Sequence, residues 1–249
     1  MNRFERWWVA LAVALACAIA TPGAAAIDAN TRVHWRLAET GQVPVQAPRK
    51  VLLLDPRIEV HELSAGGVTQ KVPQLTREAS DHFDRALRGV LATRADVVAV
   101  SMPALAETEQ DELDDTIATF NVVAGEAFAH TQSGLVGWED RAARFDYTLG
   151  FGLPWLQART GADVLLVTYG VDYQSTGGRK AMAVMGALVG VGLPTGFARL
   201  RCALLDLATG DILWLHSEGT GTGNLTDAET MRGIVEKTLA TLPPLAPTP

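Results

Sequence analysis

GADVLLVTYGVDYQS (161–175) is followed by TGGRKAMAVMGALVGVGLPTG (176–196) and then FARLRCALLDLATGDILWLHSE (197–218). Val164–Tyr169 is a continuous apolar, β-branched run between two glycines, which predicts a strand buried on both faces. Ala198–Leu207 and Asp211–Ser217 flank Ala208-Thr209-Gly210, a short polar link with glycine where a positive φ is needed. They predict the two arms of a β-hairpin. On the first arm Leu200, Cys202 and Leu204 share one face, with Arg199, Arg201 and Ala203 on the other. On the second, alternation groups Ile212, Trp214 and His216 against Leu213, Leu215 and Ser217. Three such strands carry enough apolar surface to nucleate a domain, which a lone hairpin does not.

Between strand and hairpin, Ala181–Leu193 (AMAVMGALVGVGL) has no charge and contains a G-x-x-x-G at Gly186 and Gly190. It is shorter than the roughly 20 residues that cross a bilayer. The expectation is a buried helix whose glycines let it pack closely on the sheet. The alternative is a segment that inserts into a membrane or pairs with another subunit. Just before it, Ser175-Thr176-Gly177-Gly178-Arg179-Lys180 leaves the strand. Backbone amides at a helix start, beside Arg and Lys, can hold an anion. Ser175, Gly177, Gly178, Arg179 and Lys180 are therefore the candidate binding residues, although a tight turn with a solvated basic pair is favoured.

Upstream, Lys50–Asp55 predicts a strand that Pro56 ends or bulges. Arg57–Leu63 predicts another, returning through Ser64–Gly67 to Val68–Val72 as a hairpin on the sheet edge. Ala79, Phe83, Leu87 and Val90 or Leu91 predict an amphipathic helix over Thr76–Thr93. A short strand follows at Asp96–Ser101. Thr108 with Asp111 reads as a capping box, opening a helix striped by Leu113, Ile117, Phe120, Ala124 and Phe128. Its acidic run EQDELDD reads as a solvated first-turn face. Gly134–Asp146 reads as a loop, and Tyr147–Arg159 contains a short helix with Pro154 near its start. Downstream, Gly219–Asn224 (GTGTGN) is a connector; it lacks the G-x-G-x-x-G spacing and the following acidic strand of a dinucleotide site. Thr226 with Glu229 suggests a second capping box, before a helix lined by Met231, Ile234, Val235, Leu239 and Leu242. Alternating strands and helices define a single α/β domain with a mixed sheet, flanking helices and a late hairpin, over residues 50–243. Residues 27–49 read as an extended lead-in and 244–249 as a disordered tail.

At the start, Arg3 and Arg6, the uncharged run Trp7–Ala20, Pro22-Gly23 and Ala24-Ala25-Ala26 match a signal peptide over residues 1–26. The alternatives are lipidation at Cys17 and an uncleaved anchor. Cleavage leaves Cys202 as the sole cysteine, which excludes an intrachain disulfide and a cysteine zinc cluster. The full chain has 249 residues, 48% of them hydrophobic, and a net charge of −7; losing two arginines and one glutamate with the leader takes this to −8. An acidic surface argues against nucleic acid and against anionic lipid as main partners.

There is no G-x-S-x-G, H-E-x-x-H or P-loop. His34, His61, His82, His130 and His216 are scattered without ligand spacing. No catalytic residue, metal or cofactor is expected.

VLLLDPRIEVHELSAGGV, the helix after it, GADVLLVTYGVDYQSTGGRK and above all LLDLATGDILW (Leu204–Trp214) resemble Gram-negative envelope proteins of the LpoB / CsgG / TolB N-terminal-like α/β domain group. The resemblance covers Lys50–Leu242. It implies a periplasmic or membrane-anchored protein with a non-catalytic binding or assembly role, whose partner is an envelope protein or membrane component. A homo-oligomeric membrane assembly and a periplasmic hydrolase with a dispersed site are the alternatives.

Overall fold

The longest strand is the one at the centre of the sheet. A computed structural model describes residues 29–40, 48–131, 144–188, 190–221 and 224–245. Along the chain these form β1 (Thr31–Val33), α1 (Trp35–Thr40), β2 (Arg49–Leu53), β3 (Arg57–Leu63), β4 (Thr69–Lys71), α2 (Pro73–Leu91), β5 (Val97–Ser101), α3 (Glu107–His130), α4 (Pro154–Thr160), β6 (Val164–Ser175), α5 (Gly177–Leu188), β7 (Gly196–Asp206), β8 (Ile212–Thr220) and α6 (Ala228–Ala240). The sheet order is β1-β8-β7-β6-β2-β5, with β3 pairing both β6 and β4. β6–β7, β7–β8 and β1–β8 are antiparallel, while β2–β5, β2–β6 and β3–β6 are parallel. This is a mixed-sheet α/β domain, with the predicted strand and hairpin paired at its centre.

β6 continues past Tyr169 to Ser175 because each half has its own neighbour on one side. β2 pairs with Val164–Leu166, and β3 pairs with Tyr169–Ser175. From Leu53 to Arg57 the chain takes one residue more than β6 needs from Leu166 to Tyr169, so the segment holding Pro56 is a bulge. The extra residue reverses the alternation. Val51 and Leu53 face the same core as Ile58 and Val60, although their numbers differ in parity.

A core lies on each face of the sheet. α2 and α6 cover one, burying Phe83, Leu87, Met231 and Val235 against Leu200, Leu204 and Trp214. α3 and α4 cover the other, burying Ile117, Phe120 and Leu156 against Leu165, Val167 and Leu205. The predicted stripes of α2, α3 and α6 are the buried faces.

The structure corrects several expectations. Alternation predicts Ile212 on the Trp214 face; Leu205 pairs with Ile212 and Leu204 with Trp214, so Leu213 bulges and Ile212 joins Leu215 in the opposite core. Capping lies one or two residues off the predicted boxes. Glu109 accepts from Ala106 N at 2.8 Å, and Asp227 accepts from Thr230 N at 2.8 Å. The 27–49 stretch is not merely a lead-in, for Thr31–Val33 completes the sheet edge against β8 and Trp35–Thr40 is helical. The disordered tail does not begin at 244: Leu245 is fully buried, its N–H donating to Asp96 at 2.8 Å, while Arg94 holds the carbonyls of Leu242 and Pro243. The expected leader with Cys17, residues 134–143 of the expected loop, Thr222 and Gly223 of the connector and residues 246–249 lie outside the described residues.

The turn between β7 and β8 shows why glycine is needed there. Asp206 accepts from the N–H groups of Ala208 and Thr209, and Gly210 has φ +77. A Cβ on Gly210 would also lie 1.9 Å from Phe151 O.

Candidate functional site

β6 and β7 are two arms of one hairpin, and residues 176–195 connect them at its tip. Thr176 N donates to Leu63 O at 3.0 Å, tying the start of the connection to the end of β3. Lys180 N returns to Thr176 O at 3.0 Å, opening α5. Ala, Met and Leu are strong helix formers and sustain it. It ends where Val191 N bonds Gly186 O at 2.8 Å and Gly190 N bonds Ala187 O at 3.2 Å, with Gly190 at φ +80. That pair of bonds around a left-handed residue is a Schellman end.

The expected buried helix is not what forms. Only Ala183 of α5 is buried, while Leu188 is 80% exposed, Met185 68% and Val184 66%. Met182 and Val191 are exposed as well. α2 and α6 cover the middle of one sheet face and α3 and α4 the middle of the other, and α5, leaving from the hairpin tip, lies beyond them. Ala181, Val184, Met185 and Leu188 lie at helical spacing and form one outward stripe. The G-x-x-x-G serves a different purpose from close packing on the sheet. A Cβ on Gly186 would come within 2.9 Å of Val191 O, so this glycine admits the chain's own returning turn.

The candidate binding residues divide into two groups. Gly177, Gly178, Arg179 and Lys180 form the open first turn of α5, where Thr176 Oγ1 accepts from Arg179 N at 3.5 Å and Pro194 O accepts from Arg179 Nε at 3.3 Å. Ser175 belongs to β6; its hydroxyl is buried and makes no hydrogen bond. The structure therefore brings the basic pair and the glycines together and leaves Ser175 out.

Beside this tip is a feature that single-strand patterns did not reveal. His61, Tyr173 and Phe197 are direct neighbours across β3, β6 and β7. Their rings stack with centroids 5.0 Å apart at each step. Glu59 anchors the edge, accepting from Lys71 Nζ at 2.6 Å and lying 3.2 Å from His61 Nε2; the Lys71 bond holds its carboxyl below the usual range. The signal was present in the sequence as outward positions on three strands, but reading it needs the register. Lower on the same face, the Arg201 and Arg32 guanidiniums lie 5.7 and 5.4 Å from the Phe128 ring.

The buried polar groups hold elements together. Asp172 is fully buried; burial pushes its carboxyl above the usual range, against hydrogen bonds from Gln174 Nε2 and Leu225 N, each 2.7 Å. It thereby fixes the segment entering α6 to the middle of the sheet. His216, also fully buried, shares a 2.8 Å bond with Thr31 and lies 3.4 Å from Glu218, which accepts from Lys237 at 2.7 Å. Cys202 is buried beside Thr168, and burial raises its thiol to about 12. A groove of about 740 Å³ between α2 and α6 is lined by His82, Arg85, Arg232, Glu229 and Glu236 over Ala86 and Val90. Among the described residues no group of three His, Cys, Asp or Glu side chains could hold a metal ion, and no helix is long and apolar enough to cross a membrane.

The fold and the tip together define an α/β domain with an exposed apolar projection. No protein-family model and no curated protein matches the sequence. Among solved structures, the chain is similar to a PelC dodecamer from Paraburkholderia phytofirmans at 12% identity, over 82% of this chain and 91% of that one, with TM-score 0.34. It is also similar to lipoprotein GNA1162 from Neisseria meningitidis, at 13% identity over 78% and 94%, TM-score 0.31. The LpoB C-terminal domain from Salmonella enterica matches at 15% over 74% and 91%, TM-score 0.26. At these values the likenesses assign neither partner nor activity.

Proposed function

We propose that this chain is a non-catalytic binding or assembly module of the cell envelope, periplasmic or anchored facing the periplasm. In this reading it engages an envelope protein or membrane component through α5. The observation that carries it is the outward stripe of Val184, Met185 and Leu188, with Met182 and Val191 beside it. Large apolar side chains gathered on one projection mark an interaction surface, whereas scattered ones do not. The signal-peptide pattern of residues 1–26 supports export. At the Ser175–Lys180 turn the hydrolase alternative gains no support, since the Ser175 hydroxyl is buried and bonded to no base; its other centre, the loop after Gly134, lies outside the described residues over 134–143.

Photocrosslinking in cells tests the proposal. A crosslinker at Val184 is expected to trap a discrete partner that one at Val122, equally exposed on α3, does not. Equal, unspecific labelling from both positions would remove α5 as the contact surface.

A further inference from the structure

Two independent observations bear on what could cover α5. The first is charge. From Tyr173 to Leu205 the chain contains Arg179, Lys180, Arg199 and Arg201 and no acidic residue, in a protein of net charge −7. Both charges of α5 sit in its first turn: Lys180 is exposed one turn before Val184, while Arg179 lies one turn before the buried Ala183 and donates its Nε to Pro194 O at 3.3 Å; the outward stripe itself is apolar. An apolar stripe with cationic side chains at one end suits a surface that offers hydrocarbon below anionic headgroups, which long basic side chains reach by snorkelling.

The second is chain direction. β1 runs antiparallel to β8, with Thr31 opposite His216 and Val33 opposite Trp214. β8 runs toward the tip, since Thr220 pairs with Ala198 near the start of β7. The chain before Thr31 is therefore directed toward the end of the sheet that carries α5, and Asn30 O still accepts from Ser217 N at 3.0 Å. On the uncleaved-anchor reading of the start of the chain, the uncharged run Trp7–Ala26 lies upstream of that point. The other end of the described chain is held at the opposite end of the sheet, where Leu245 bonds Asp96.

Resting on the reading of α5 as a contact surface, we propose that its occupant is a lipid bilayer surface bearing anionic headgroups, on which the helix lies without crossing. A 12-residue helix is about 18 Å long, well short of the roughly 30 Å hydrocarbon core. Arg179 and Lys180 meet headgroup phosphates, and Met185 and Leu188 enter the acyl boundary.

The test uses the full chain with Cys17→Ser and an environment-sensitive fluorophore on Leu188→Cys; the buried Cys202 stays unlabelled. A second probe on Val98→Cys, at the far end of the sheet, reports proximity that is not specific to the tip. Vesicles are phosphatidylcholine alone or mixed with phosphatidylglycerol. The probe at 188 is expected to be quenched by a lipid-borne nitroxide and shielded from acrylamide on the anionic vesicles, with the probe at 98 showing neither. Arg179→Gln with Lys180→Gln is expected to shift the docking equilibrium by about thirty-fold, the weight of two basic side chains near an anionic surface. Equal contact with both vesicle types would overturn the anionic requirement. Full acrylamide access at 188 on every vesicle would overturn the proposal. If Met185→Glu then lowers the mass in light scattering, a second copy covers α5 and the contact-surface reading survives. An unchanged mass together with unspecific crosslinking at Val184 would remove both.

Discussion

The exposure of α5 makes a quantitative prediction that separates it from the buried helix expected of its sequence. Consider Met185→Gln with Leu188→Gln in the full chain. Glutamine has nearly the helix propensity of Met and Leu, so the helix itself is not the variable. A wholly buried Leu or Met side chain contributes about 1.5–3 kcal/mol, and with Leu188 80% and Met185 68% exposed, the buried fifth and third amount to about 0.3–0.6 and 0.5–1 kcal/mol. The pair is thus expected to cost no more than about 1.5 kcal/mol in total. Leu200→Ala, at a side chain only 1% exposed between α2, α6 and the sheet, is expected to cost about 2–5 kcal/mol. Urea unfolding read at the same slope compares the midpoints directly. A double variant on α5 that loses as much stability as Leu200→Ala would refute the reasoning, because α5 would then be covered by its own domain. The same variant, folded, is expected to lose the Val184 crosslink.

Other consequences follow from the buried polar groups and caps. The raised Asp172 carboxyl means that the native state holds its proton more tightly than the unfolded chain. Stability associated with it is full below the ordinary carboxylate range and falls as pH rises through the native value. Asp172→Asn keeps an oxygen for Leu225 N and Gln174 Nε2, so it is expected to be more stable than the parent near neutrality, with the advantage vanishing in acid. A parent that instead gains on the Asn variant as pH rises would contradict this. Asp172→Ala leaves Leu225 N without its acceptor and is expected to cost about 1–3 kcal/mol in the same titration. Cys202, raised to about 12 and buried, is expected to react with a thiol reagent only as fast as the domain opens, so its labelling rate in a Cys17→Ser chain should track denaturant; fast native labelling would count against the burial. Asp227→Ala removes the acceptor for Thr230 N and is expected to lower stability by about 1 kcal/mol, measured as a shift in the urea midpoint.

The sequence alone determined what local chemistry can write down. Gly161 and Gly170 around VLLVTY, the helical stripes at Ala79–Leu91, Leu113–Phe128 and Met231–Leu242, and the polar turn at Ala208–Gly210 define strands, helices and a hairpin, because burial periodicity and turn conformation are properties of neighbouring residues. Only the tertiary structure decided phase and cover. One extra residue near Pro56 and another at Leu213 reverse which side chains face which core, and a bulge is set by the register of the partner strand. The stack of His61, Tyr173 and Phe197 draws one ring from each of three strands far apart in the chain. For α5 the sequence specified an apolar helix. Whether an apolar helix is core or contact surface depends on where it leaves the sheet: α2 and α6 occupy the middle of one face and α3 and α4 that of the other, while α5 leaves from the hairpin tip beyond them.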